Sequence, residues 1–165
     1  MSPVTSHHAR AVVGSAADGM VVALSQALLD HPGRSPGRRR LYRSLAGVAA
    51  VDVLVQELPV LRAALAEGLP PEPVQPEELE RRLRQGALVA AWGLLVTAAD
   101  GPLTRLLRRR GVRRPHLALG AVAGLGAALG TLPGWWREAD ERAAVDRATA
   151  RLDEELAELL APPAG

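Results

Sequence analysis

The segment HLALGAVAGLGAALGTLPGWW, residues 116–136, constrains the chain more than any other. It carries no charged residue after His116, and its apolar part, 117–132, holds glycine at 120, 124, 126 and 130. Each of these costs a helix in water about 1 kcal/mol relative to alanine. In lipid the balance reverses, because the backbone must bond internally and small side chains let helices approach closely. Gly120 and Gly124, and again Gly126 and Gly130, have the small-xxx-small spacing of packed membrane helices. Trp135 and Trp136 end the apolar band, where interfacial aromatics sit. The apolar part is short for a span, and the tryptophans extend it.

The rest of the chain is built from good helix formers, with few β-branched runs and no hairpin dipeptides. Proline and glycine clusters at 31–39, 68–78, 109–115 and 132–134 divide it. The expected helices cover 11–29, 41–67, 76–110, 116–132 and 136–160. The last carries Val145, Ala148, Leu152, Leu156 and Leu159 on one stripe and is an amphipathic helix. The expected fold is all-α: a four-helix transmembrane bundle of two helical hairpins in residues 1–136, followed by a charged amphipathic helical tail in 137–165. The competing architecture is a soluble helical interaction module with 116–132 as its buried centre. The first three helices carry Asp18, then Asp52, Gln56 and Glu57, then Asp100. A carboxylate at mid-bilayer costs roughly 2.5–3.5 kcal/mol on insertion scales, so each of these helices needs partners.

Composition excludes several classes. With no cysteine there is no disulfide and no thiolate chemistry. None of the four histidines has a partner at zinc-like spacing, and His7 and His8 are expected in a loose N-terminus, so no metal is implied. The chain contains no Lys, Phe, Ile or Asn, all encoded by AT-rich codons, so its arginines reflect a GC-rich coding sequence as much as phosphate recognition. A formal net charge of +2 with 2% aromatics argues against nucleic-acid binding. No G-x-S-x-G, P-loop or H-E-x-x-H motif is present; no enzyme activity and no cofactor are expected. The N-terminus lacks the pattern of a secretory signal.

The tetrapeptide AADG occurs at 16–19 and at 98–101. Each copy leads into a leucine-rich turn, an arginine cluster and an Ala/Gly/Val-rich helix ending in Leu-Pro, at 58–59 and 132–133. This reads as a duplicated hairpin or as a product of biased composition. Arg34, Arg38, Arg39, Arg40 and Arg43 lie in the first arginine loop, and Arg105, Arg108, Arg109, Arg110, Arg113 and Arg114 in the second. In a four-span hairpin arrangement, loops 31–43 and 105–115 share a side, which the positive-inside rule makes cytoplasmic. Arg38, Arg39, Arg40, Arg108, Arg109 and Arg110 are candidate contacts for lipid headgroups.

The stretch RLLRRRGVRRPHLALGAVAGLGAALGTLP, 105–133, carries a likeness. Residues 84–136 resemble the basic-loop-then-apolar-helix segment of small uncharacterised multi-helix integral membrane proteins of high-GC actinobacteria. The resemblance implies a class and no activity, cofactor or catalytic residue.

Asp18, Asp52, Gln56 and Asp100 form the candidate intramembrane polar site, since ionisable groups inside spans face the bundle interior and mark ion or proton paths. Asp52 and Gln56 are one turn apart and share a face. Asp100 is expected to meet Arg105 at headgroup level. The expected function is that of a multi-pass cell-membrane protein with a structural or interaction role; the alternative is a small proton- or ion-coupled transporter using these aspartates. The expected partners are the bilayer and a protein or second copy docking through 116–132 or the C-terminal helix.

Overall fold

The computed structural model describes residues 3–68 and 76–160, and among these it contains helices and turns only. α1 spans Pro3–Ala27 and is continued by a tighter 3-10 turn, Leu28–Asp30. α2 spans Pro36–Gln56, α3 Leu58–Glu67, α4 Pro76–Arg109 and α5 Pro115–Leu160.

Four boundaries differ from those expected. α1 begins at Pro3 and not at residue 11, and His7 and His8 are ordered helical residues that grip α5. α2 begins at Pro36 and not at residue 41, because the cluster taken for a break holds a helix start. Ser35 Oγ accepts a hydrogen bond from the Arg38 backbone N–H at 3.2 Å, and Pro36 occupies the first turn, where its missing N–H costs nothing. The helix expected over 41–67 breaks at Glu57 into α2 and α3, with Pro59 in the first turn of α3.

The largest difference lies at 132–134. The Leu-Pro-Gly expected to end one helix and begin another is interior to α5, which runs unbroken through Pro133 and across residues 136–137. This follows from the first correction. Residues 3–10 extend α1 far enough to bracket the proline from the far side. Across it, His7 Nε2 meets Asp146 Oδ2 at 2.7 Å and His8 Nε2 meets Asp140 Oδ1 at 2.9 Å. The loss at Pro133 is one hydrogen bond to the Leu129 carbonyl, and α1 holds both sides in line.

α1 and α5 are antiparallel and pack together along the whole length of α1. Their seam is made of small residues: Ala11, Ser15, Gly19, Ala23 and Ala27 on α1 face Gly120, Gly124, Ala127, Thr131 and the Trp135 ring on α5. The backbones come so close that a Cβ on Gly124 would stand 2.8 Å from Ala23 Cβ, and one on Gly120 would stand 2.7 Å from the Ala23 carbonyl oxygen. Ser15 Oγ donates to the Ala128 carbonyl at 2.6 Å across this seam. α4 lies on a second face of α5, where Trp92 fills the hollows over Gly126 and Gly130. α2 packs on the other side of α1. Val22 of α1, Val96 of α4 and Ala123 and Ala127 of α5 form the shared centre, flanked by Val89, Trp92 and Leu119.

The core is therefore small, and the large apolar side chains point outward. Leu94, Leu125, Leu129 and Val122 are 72%, 63%, 62% and 72% exposed, whereas Ala127 and Thr131 are fully enclosed. Three helices are long and apolar enough to cross a membrane: Ser6–Asp30, Leu79–Arg109 and Pro115–Leu160. α2, with its arginine-rich first turns and Asp52, is not among them.

Candidate functional site

The antiparallel packing of α1 on α5 gives the molecule two chemically different ends. At one end, Asp30 follows α1 and caps the start of α5: its Oδ2 accepts from the Leu117 N–H at 2.8 Å and its Oδ1 from the His116 N–H at 3.4 Å. This acceptor supplies the exposed amides of a helix start with a negatively charged partner from another helix. Both arginine loops converge here, because Asp30 precedes the first and His116 follows the second. Gly111, at φ 80°, lies in the left-handed region and lets the chain turn between α4 and α5.

At the opposite end, α2 and α4 stand apart and leave a cleft of about 900 Å³ backed by α1 and α5. Asp18 of α1 lies in its wall, about 18 Å along the helix from Asp30 at 1.5 Å per residue. Asp18 Oδ2 accepts two hydrogen bonds, from Trp135 Nε1 at 2.9 Å and from Gln85 Nε2 at 3.1 Å. Helices α4 and α5 thus hold one oxygen of a carboxylate on α1. The Trp135 ring is pressed against Gly14, where any side chain would collide with it. Asp52 and Gln56 line the cleft from α2. Gln56 Nε2 donates to the Arg10 carbonyl at 3.3 Å, while Asp52 Oδ1 and Gln56 Oε1 are buried and accept no hydrogen bond from any described residue. The rim is charged and internally paired: Arg81 with Glu141 at 3.1 Å, Arg142 with Glu138 at 2.6 Å and Arg84 with Glu80 at 3.2 Å.

Asp18, Asp52 and Gln56 therefore share one site. Asp100 does not belong to it: it lies at the arginine end, where its Oδ1 meets His116 Nδ1 at 2.9 Å in place of the expected Arg105, whose Nε donates to the Gly101 carbonyl. The two AADG copies accordingly place their aspartates at different depths. The four glycines divide between two seams, Gly120 and Gly124 against α1 and Gly126 and Gly130 against Trp92. Arg38, Arg39 and Arg40 lie in the first turns of α2, and Arg108, Arg109 and Arg110 at the end of α4.

Five contributors were not foreseen: Asp30, Gln85, Trp135 as a half-buried donor, the His7–Asp146 pair and the His8–Asp140 pair. Of the two adjacent tryptophans Trp136 is the more exposed, its ring tilted 52° against His8 with centroids 4.5 Å apart. A signal for Trp135 existed, since an indole N–H carried into a bundle needs an acceptor and Asp18 is the only carboxylate inside α1. Among the described residues no group of three or more His, Cys, Asp or Glu side chains is placed to hold a metal ion. No family model, curated protein or solved structure gives a significant match to the chain.

Proposed function

We propose that this chain is an integral membrane protein with a structural or interaction role and no catalytic chemistry of its own. The observation that carries the reading is the inverted distribution of side-chain size. Alanine, glycine, serine and threonine make up most of the interior, with Val22, Leu28, Val96, His7 and Gln26 among them, and most of the leucines and valines lie on the outside of the helical bundle. In water this arrangement forfeits the hydrophobic driving force and exposes a broad apolar surface. In lipid the outside needs no burial, and close small-residue seams are how helices associate. α1, α4 and the first half of α5 supply three crossings by length and composition. In this reading α2 is the fourth: its 21 residues, about 30 Å of helix, lead from the arginine end, where α1 stops, toward the cleft end, where α4 begins after α3. The protein is then a multi-pass component of the cell membrane in two hairpins, with loops 31–43 and 105–115 on the cytoplasmic side. Extraction of membranes with alkaline carbonate tests this. Retention in the pellet is the expected result, and release into the supernatant would establish the soluble bundle instead.

One observation favours a second reading. The cleft brings Asp18 and Asp52 together from facing helices, with paired charges around its mouth, which is the arrangement of an ion- or proton-coupled carrier. Replacing Asp52 with Asn separates the two. Loss of cation or proton flux in vesicles at unchanged abundance supports the carrier, and unchanged behaviour supports the structural role. The glycine seams of α5 are filled within the chain, so the surface offered to a protein partner is the exposed stripe of Val145, Leu152, Leu156 and Leu159.

A further inference from the structure

At the arginine end the two loop segments carry arginines and no acidic residue within them. Segments 31–43 and 101–115 contain eleven arginines and no Asp or Glu. The two carboxylates that border them are already engaged, Asp30 by the backbone N–H groups of His116 and Leu117 and Asp100 by His116. All of these arginines except the half-buried Arg38 are exposed, and among the described residues none of them pairs with a carboxylate. At the cleft end, by contrast, Arg81, Arg84 and Arg142 each have an acidic partner. Arg137 at the cleft bonds the Pro133 carbonyl instead, so the contrast lies in the three paired arginines there and in the lack of Asp and Glu within the two loop segments.

The loops are also fixed relative to one another. Asp30, one residue before the first loop, is bonded to the first turn of α5, which follows the second loop. Arg34 at the turn has φ 64°, a left-handed backbone that an arginine adopts at a cost and glycine would adopt freely. Arg38 lies against Tyr42, with its guanidinium carbon 5.7 Å from the ring centroid and its Nη2 3.3 Å from the hydroxyl. Guanidinium groups in such numbers repel each other unless an anion lies among them, and their planar donor forks fit phosphate oxygens two at a time. The surface stands at the ends of α1, α2, α4 and α5, which is headgroup level if these helices cross a bilayer.

We propose that the two arginine loops together form one binding site for the phosphate groups of anionic phospholipids, beyond any role in setting orientation. The proposal rests on the membrane reading above. The test uses the full chain in mixed micelles of phosphatidylcholine, titrated with phosphatidylglycerol. Thermal melting and native mass spectrometry of retained lipid are the readouts. Phosphatidylglycerol is expected to raise the melting temperature and to be retained over phosphatidylcholine. Changing Arg38, Arg39 and Arg40 to Gln, or Arg108, Arg109 and Arg110 to Gln, should each weaken that preference roughly 10-fold to 100-fold, because one site draws on both loops. The corresponding Lys variants keep the charge and should lose less, which separates a binding defect from a folding defect. Arg147→Gln with Arg151→Gln, on the tail of α5, should leave the preference intact. Inorganic phosphate at millimolar concentration and a short RNA should not reproduce the stabilisation. The proposal is overturned if phosphatidylglycerol has no advantage, if the tail variant loses it equally, or if free phosphate or RNA acts as well as the lipid. Resistance to carbonate without any phosphatidylglycerol preference sinks this proposal alone, whereas carbonate release sinks the membrane reading beneath it.

Discussion

Gly124 shows how much a single position decides. Its Cβ-less face lies on the Gly19 carbonyl and the Ala23 side chain, so Gly124→Val would force α1 and α5 apart. Overpacking of this kind costs about 1–3 kcal/mol, and a lower unfolding midpoint in detergent is the expected outcome. Gly93, on α4 with open space around it, is the control: Gly93→Ala should be neutral or stabilising by up to about 1 kcal/mol. Asp18 is decisive for a different reason. Asp18→Ala removes the acceptor of two donors, Trp135 Nε1 and Gln85 Nε2, and orphaned donors cost about 1–3 kcal/mol each where they are buried. Asp18→Asn keeps an acceptor and should lose less stability in the same unfolding assay, with a smaller shift in tryptophan emission. At this scale the small-xxx-small spacing was legible in the sequence, whereas the division of the glycines between two seams comes from the structure and follows from the helical repeat. Gly120 and Gly126 are six residues apart, which rotates the second pair about 120° from the first on a helix of 3.6 residues per turn and so aims it at another neighbour.

At the scale of elements, two of the chain's prolines have opposite outcomes. Pro59 stands at a break between α2 and α3, whereas Pro133 is carried inside α5. The residue is the same and the surroundings differ. Among the described residues α3 touches α2, while α1 and α4 clamp α5 on both sides of Pro133. The local sequence pattern gives each the other way round, with one helix through Pro59 over 41–67 and a break at 132–134, since the contacts of α1 with α5 join residues more than a hundred positions apart. The existence and approximate place of most helices were legible from periodicity and from proline and glycine clusters; the junction at 132–136 was not, because tertiary contact overrides the local signal there. Pro133→Ala restores an N–H to the Leu129 carbonyl and removes a ring clash, so it should stabilise α5 by about 1–3 kcal/mol without changing its course. Spin labels at residues 122 and 145 measure that course: the same separation in both proteins is expected, and a large change would mean that the proline sets a bend. Asp30→Ala should cost about 1 kcal/mol through the lost cap on α5 and loosen the register between the two hairpins.

Across the whole molecule, charge and side-chain size are sorted along different directions. Charge is sorted by end, with unpaired arginines at one and a paired, mixed rim around the Asp18–Asp52 cleft at the other. Size is sorted radially for the most part, with small residues making up most of the inside and most large apolar ones outside. The end-to-end sorting was legible from the two arginine loops and the hairpin pattern. The cleft was not, because α2 and α4 are brought opposite each other only through α1 and α5. The radial sorting is the central claim, and it is tested most directly by placing single nitroxide labels on the chain, which has no native cysteine to interfere. Labels at Leu94, Val122, Leu125 and Leu129 in liposomes should relax strongly with dissolved oxygen and weakly with a water-soluble nickel chelate, as lipid-facing sites do, while a label at Glu154 should show the reverse. Strong nickel relaxation at the four leucine and valine positions would place that surface in water and contradict the account.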